Sequence, residues 1–226
     1  GTGWGLKFDY IIIHESGQEW FANNITYKDI ADMWIHESFT TYSESLFIEY
    51  YYGKDAANEY IRGIRKVITN KKPIIGYYDV NVEGSGDMYP KGANIIHTIR
   101  QVINDDAKFK SILRGLNSTF YHQTVTTKQI EDYISKESGI NLSPVFDQYL
   151  RTAQVPTFEY YFQNQKLVYH WINCVENFDL PLKVTLNGVE TWLKPTTDWK
   201  AENVKDDKST LVVDKNFYVR EFNITN

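Results

Sequence analysis

Ile11-Ile12-Ile13-His14-Glu15-Ser16-Gly17-Gln18-Glu19-Trp20, followed by Asp32-Met33-Trp34-Ile35-His36-Glu37, is the stretch on which the reading of this chain turns. In a helix, residues four apart share a face, so a histidine at position 14 and a second ligand at position 18 would reach one metal ion. A glutamate beside the first ligand is placed to deprotonate a water held there. Here position 18 is glutamine. Glu37 lies 19 residues beyond it on a second expected helix.

Around this stretch, Ile13 to about Arg151 carries apolar residues at helical spacing, such as Ile95, Ile96, Ile99, Val102 and Ile103, then Phe109, Ile112, Leu113, Leu116 and Phe120. The pattern predicts about seven helices. Thr126 with Gln129 forms a capping box, Ser143-Pro144 opens a helix, and Gly53 and Gly139 suit helix ends. Before this part, Phe8 to Ile13 reads as strand-like, and Lys71 to Pro90 reads as a long loop of the kind that often carries function. The triplet Tyr50-Tyr51-Tyr52 reads as a helix end packed against neighbours.

From Pro156 the period changes to two. Phe158, Tyr160 and Phe162 alternate, Leu167 to Trp171 is strand-like, Asn187-Gly188 marks a hairpin, and Leu211 to Val213 and Phe217 to Ile224 continue the pattern. The fold class expected is therefore α+β and multidomain. Residues 1–155 form a mainly helical part, and residues 156–226 form a small antiparallel β-sandwich domain, with the boundary near Val155.

Composition narrows the partners. The chain has 226 residues, 42% of them hydrophobic, enough for a sizeable core. Its net charge of -5 without a basic block argues against nucleic acid or an anionic membrane, and no apolar run approaches the ~20 residues of a membrane span. Cys174 is alone, so a metal would take His and carboxylate ligands. The opening Gly1-Thr2-Gly3-Trp4 has neither an initiator Met nor a signal-peptide pattern and reads as the start of a fragment.

These residues resemble the aminopeptidase N family of zinc metallopeptidases, whose pattern H-E-x-x-H-x-W followed by W-x-x-E-G-F falls on His14 to Trp20 and Trp34 to Phe39. Tyr89-Pro90-Lys91-Gly92 is similar to the family's Y-x-K-G segment. The resemblance implies a thermolysin-like catalytic domain over the helical part, a bound zinc ion and cleavage of N-terminal peptide bonds. It implies His14 and Glu37 as metal ligands, Glu15 as general base, and Tyr89 as donor to the oxyanion of the tetrahedral intermediate. A preorganised donor of that kind is worth roughly 3 kcal/mol.

The sequence departs from the pattern in three ways. Gln18 offers a neutral amide oxygen in place of an imidazole, which is expected to weaken zinc binding sharply. Ser38 stands where the family usually has Gly and adds a hydroxyl near the site. The family's G-A-M-E-N motif and the sheet that carries it do not occur in this chain, so upstream domains are expected partners and turnover by this stretch alone is expected to be weak. Uncovered helix faces are then expected to promote self-association. Gln18 motivates an alternative, a catalytically silent relative that binds peptides or a protein, and a third reading makes the chain a docking piece. Scavenging of peptides outside the cytoplasm would be a natural role for such an enzyme.

Other candidates follow blander readings. His36 is expected in packing or beside the site, His97 as a satisfied structural histidine, and His122 and His170 in no constellation. Four N-x-S/T triplets begin at Asn24, Asn117, Asn141 and Asn223.

Overall fold

The computed structural model describes residues 3–224. Its first helix, α1 (Tyr10–Gln18), begins where Asp9 accepts from the amides of Ile11 and Ile12. This corrects the strand expected over Phe8 to Ile13: the β-branched run is overridden by an acidic cap and by packing on α2 (Trp34–Tyr52). A Cβ on buried Gly17 would lie 3.3 Å from Ser43 and Thr40, so α1 and α2 approach closely there. After Gln18 the chain widens into one π-helical turn, Glu19–Asn23, before strand β1 (Ile25–Tyr27).

Five further helices follow: α3 (Lys54–Gly63), α4 (Pro90–Ile103), α5 (Asp106–Thr119), α6 (Thr127–Ser138) and α7 (Ser143–Arg151). The capping box at Thr126 forms as read, Gly139 ends α6 in the left-handed region, and Pro144 lies in the first turn of α7. Strand β2 (Gln123–Val125) pairs in parallel with β1 inside the helical part. Sequence periodicity missed both because three residues are too few to show a period. Tyr50, Tyr51 and Tyr52 end α2 but are largely exposed, which corrects the packed helix end expected. Tyr52 alone crosses to another segment, its ring meeting Trp4 at 5.3 Å and its hydroxyl donating to the Lys7 carbonyl.

The remaining strands form two further sheets, β7-β4-β3-β9 and β6-β5-β8, built from β3 (Thr157–Gln163), β4 (Lys166–Ile172), β5 (Leu182–Leu186), β6 (Val189–Leu193), β7 (Lys200–Asn203), β8 (Leu211–Val213) and β9 (Arg220–Asn223). Asn187 and Gly188, both at positive φ, make the β5–β6 hairpin. The β3–β9 pairing is parallel, so the larger sheet is mixed rather than wholly antiparallel. Phe217 and Tyr218 are buried but outside the last strand, because that segment folds onto α4 and α7: the Tyr218 amide donates to Thr98 Oγ1, and Tyr149 donates to the Tyr218 carbonyl.

One hydrophobic core runs through both parts, from Trp34, Phe39 and Tyr42 through Phe146 and Tyr149 to Phe158, Trp171 and Phe178. By contrast Leu6, Tyr10, Ile11, Ile12 and Trp20 are exposed on and around α1. Among the described residues no helix is long and apolar enough to cross a membrane.

Candidate active site

Helix α1 and the face of α2 bearing Glu37, Thr41 and Glu44 form one wall of a cleft of about 760 Å³. Its opposite side comes from α3, the turn Ile64–Val67 and the start of α4. All five site residues expected from sequence, His14, Glu15, Gln18, Glu37 and Tyr89, line this cleft. His14 Nε2 lies 3.1 Å from Glu37 Oε2, and Nδ1 lies 2.9 Å from Glu44 Oε1. Burial alone would lower the pKa of His14, but the two carboxylates outweigh it and raise it to about 9.

Glu44 was not singled out by sequence reading, although its place seven residues after Glu37 puts it on the same helical face. Its second oxygen accepts from the Tyr60 hydroxyl, and burial together with that carboxylate pushes the Tyr60 phenol upward.

Tyr89 is delivered by the long segment 71–90, whose folded-back course depends on close backbone contact. A Cβ on Gly84 would lie 1.8 Å from the Ile74 carbonyl oxygen, so only glycine fits there. Buried Asp87 then gathers the amides of Thr69 and Asn70 at 2.9 and 2.7 Å. Pro90 starts α4 directly after Tyr89. The Tyr89 ring centroid lies 5.9 Å from that of His14. Burial first, then the charge of Glu37 and a hydrogen bond to it, push the Tyr89 phenol up to about 12, so it stays protonated and able to donate at neutral pH.

Lys91 and Ser38 have structural duties. Lys91 is fully buried and donates to the Thr152 carbonyl at the end of α7, with burial lowering its pKa to about 8. Ser38 does more than fill space, since its hydroxyl donates to the Met88 carbonyl at 2.8 Å, one residue before Tyr89.

The remaining histidines lie away from the cleft lining. His36 accepts from the Tyr27 amide and packs on the Tyr27 ring at 4.2 Å. His97 is buried with Tyr42, Asn216 and Gln101 around it, a structural histidine as read. His122 adopts a positive φ and stacks on Tyr121. His170 does belong to a constellation, contrary to expectation: Glu159 Oε2 is 2.7 Å from Nε2, and the Trp199 ring stacks at 3.6 Å. Cross-strand pairing of β3 with β4 creates it, and single-sequence reading does not see register. Asn24 is buried and donates to both the carbonyl and the side chain of Asn117, so these two triplet asparagines hold each other.

Whether the site suits zinc turns on its donors. Among the described residues no three His, Cys, Asp or Glu side chains converge in a metal-binding arrangement. Two do converge, His14 and Glu37, and Gln18 faces the same cleft one helical turn from His14. The set fits zinc at two positions and, through a neutral amide oxygen, weakly at the third.

Comparison with known proteins defines the class. The model for the peptidase family M1 domain matches residues 6–149, more than half of the chain. The chain belongs to peptidase family M1. It is 24% identical over 196 residues to a leucyl aminopeptidase of Saccharolobus solfataricus, covering 79% of this chain and 25% of that protein. It is 23% identical over 165 residues to an aminopeptidase N of Lactococcus lactis subsp. lactis, covering 65% of this chain and 19% of that protein. A crystal structure of Legionella pneumophila aminopeptidase A in complex with aspartic acid superposes with a TM-score of 0.62 at 17% identity, over 93% of this chain and 25% of that one. The chain thus spans about a quarter or less of the length of these relatives, which accords with further domains in them.

Proposed function

We propose that the cleft is the catalytic centre of an aminopeptidase-type zinc metallopeptidase, cleaving peptide bonds at the N-terminal end of peptides. The observation that carries this reading is the convergence of His14, Glu15, Gln18, Glu37 and Tyr89, drawn from three separate segments, on one cleft of peptide-accommodating size. The architecture that goes with it is a thermolysin-like catalytic part over residues 1–155 and a C-terminal β-sandwich over 156–226.

In this reading His14 and Glu37 hold zinc and Gln18 completes the set weakly. When bound, zinc supplies Lewis-acid polarisation of a carbonyl and acidifies a water. Glu15, at the exposed lip of the cleft, takes the proton from the attacking water and passes it to the leaving amine. Tyr89, held protonated, donates to the oxygen that becomes negative as the carbonyl carbon turns tetrahedral. The half-buried His14 and Gln18 and the buried Thr41 restrict water around that oxygen.

Gln18 favours one second reading, a silent relative that retains the cleft for peptide binding. Aminoacyl fluorogenic amides in the presence of zinc separate the two. The enzyme reading expects turnover that falls on the order of 100-fold or more in Glu15→Gln and in Tyr89→Phe, with product binding retained. Peptide binding without turnover, even in Gln18→His, would establish the silent relative. Self-association through exposed Ile11 and Ile12 belongs to the same proposal. Light scattering is expected to show concentration-dependent dimers that Ile12→Glu disperses, and a monomer at all concentrations would remove this part.

A further inference from the structure

Charge is unevenly placed in the cleft. Glu15, Glu37 and Glu44 stand on the wall made by α1 and α2, whereas Lys66, on the turn Ile64–Val67 of the opposite wall, is the one Lys or Arg among the described lining residues. Its neighbour Arg65 fixes that turn, since the guanidinium donates to Asn94 Oδ1 and to the carbonyls of Lys215 and Asn216. Lys66 itself is exposed, and among the described residues nothing forms a hydrogen bond or ion pair with its ammonium. One cation therefore holds the turn in place, and the next is left unmatched on the cleft lining.

An unmatched ammonium across from three carboxylates gives the cleft a direction. A short peptide carries an ammonium at one end and a carboxylate at the other, so its favoured pose sets the ammonium toward the α1 and α2 wall and the carboxylate toward Lys66. Size agrees with this pose. The cube root of a cleft volume of about 760 Å³ is about 9 Å, and an extended chain advances roughly 3.3–3.6 Å per residue, so two or three residues span it. We infer that Lys66 is a specificity-determining residue that favours peptides presenting a carboxylate within two or three residues of the amino terminus, and that it orients them along the cleft. This rests on the proposed reading of the cleft as a peptide site, and it holds for the enzyme and for the silent relative alike. The carboxylate has two possible sources, the free C-terminus of a di- or tripeptide and an acidic side chain, which share the same ion pairing with the Lys66 ammonium.

The test measures peptide affinity by isothermal titration calorimetry on the full chain with zinc present, in a Glu15→Gln background so that no turnover intrudes. This parent and its Lys66→Met and Lys66→Glu variants are each titrated with two matched pairs of peptides. The first pair is Leu-Gly-Gly and its C-terminal amide, and the second is Leu-Glu amide and Leu-Gln amide. Circular dichroism checks that each variant is folded. The inference expects the parent to prefer the carboxylate-bearing member of at least one pair by roughly 2- to 5-fold at low salt, the range of an exposed ion pair, with the preference shrinking as salt is raised. Lys66→Met is expected to bind both members of a pair equally, at the affinity of the neutral one, and Lys66→Glu to reverse the order. A preference confined to the first pair assigns the C-terminal carboxylate, one confined to the second assigns the acidic side chain, and one in both shows that either serves. Equal affinities within both pairs in the parent, or a preference that Lys66→Met retains, would overturn the role of Lys66 while leaving the cleft a peptide site. Binding of none of the four peptides by any of the proteins would overturn the peptide reading itself and this inference with it.

Discussion

A Cβ added to Gly92 would lie 1.8 Å from Ser38 Oγ and 2.5 Å from Ser38 Cβ, so at this point the Ser38 side chain packs directly on the α4 backbone. Ser38 adjoins Glu37, and Gly92 follows Tyr89 by three residues. The contact therefore sets the distance between the expected metal ligand and the expected oxyanion donor. Ser38 adds the hydrogen bond to the Met88 carbonyl that steadies the turn carrying Tyr89.

Gly92→Ala is accordingly expected to force α2 and α4 apart and to destabilise the chain by about 1–3 kcal/mol, the usual cost of overpacking. Chemical denaturation measures it. Ser38→Gly in the same background makes room for the added methyl and is expected to recover most of the loss. No recovery would show that the clash lies elsewhere.

Arg100, buried in α4, pairs with Glu49 through two nitrogens and with Asp106 through a third. Removing it leaves the half-buried Glu49 carboxylate to Lys110 alone, 3.0 Å away, so Arg100→Met is expected to cost up to roughly 3 kcal/mol. Glu49→Gln with Arg100→Met is expected to cost less than the sum of the two single changes, and a double-mutant cycle reads the difference.

His97 gives the chain an acid limit. Burial first, with Arg65 and Arg100 adding to it, lowers its pKa to about 3 from the ordinary 6.5. The folded state thus keeps it neutral where the unfolded state binds a proton. Stability from this group is full above about pH 6.5 and falls as pH drops toward 3, by up to about 1.4 kcal/mol per pH unit. His97→Gln is expected to flatten the stability profile between pH 6.5 and 3. A profile as steep as wild type would place the acid sensitivity on other groups.

Much of this was legible because it depends on local pattern. The capping box at Thr126, the hairpin at Asn187-Gly188 and the 3.6-residue period of α4 and α5 are properties of short windows, and they formed as read. The spacing of His14, Glu37 and Tyr89 pointed to one cleft, and the fold brings them to it. What escaped depends on distant partners. Phe8 to Ile13 has strand composition, yet a cap at Asp9 and the surface of α2 make it helix from Tyr10. The parallel pairs β1–β2 and β3–β9 join segments 98 and 63 residues apart at Ile25–Gln123 and Thr157–Arg220. Glu44 was hidden for another reason: a helical glutamate announces nothing until the histidine of a different helix is found against it.

The measurement that bears most directly on the central claim is zinc content and affinity of this chain beside its Gln18→His variant, determined by elemental mass spectrometry and chelator competition at matched pH. The account predicts one zinc per chain in the variant and weaker, saturable binding in the wild type, lower by roughly 10–100-fold. Absence of zinc from both proteins, folded and at saturating metal, would contradict it and leave the cleft of His14, Glu37 and Tyr89 as a peptide-binding surface.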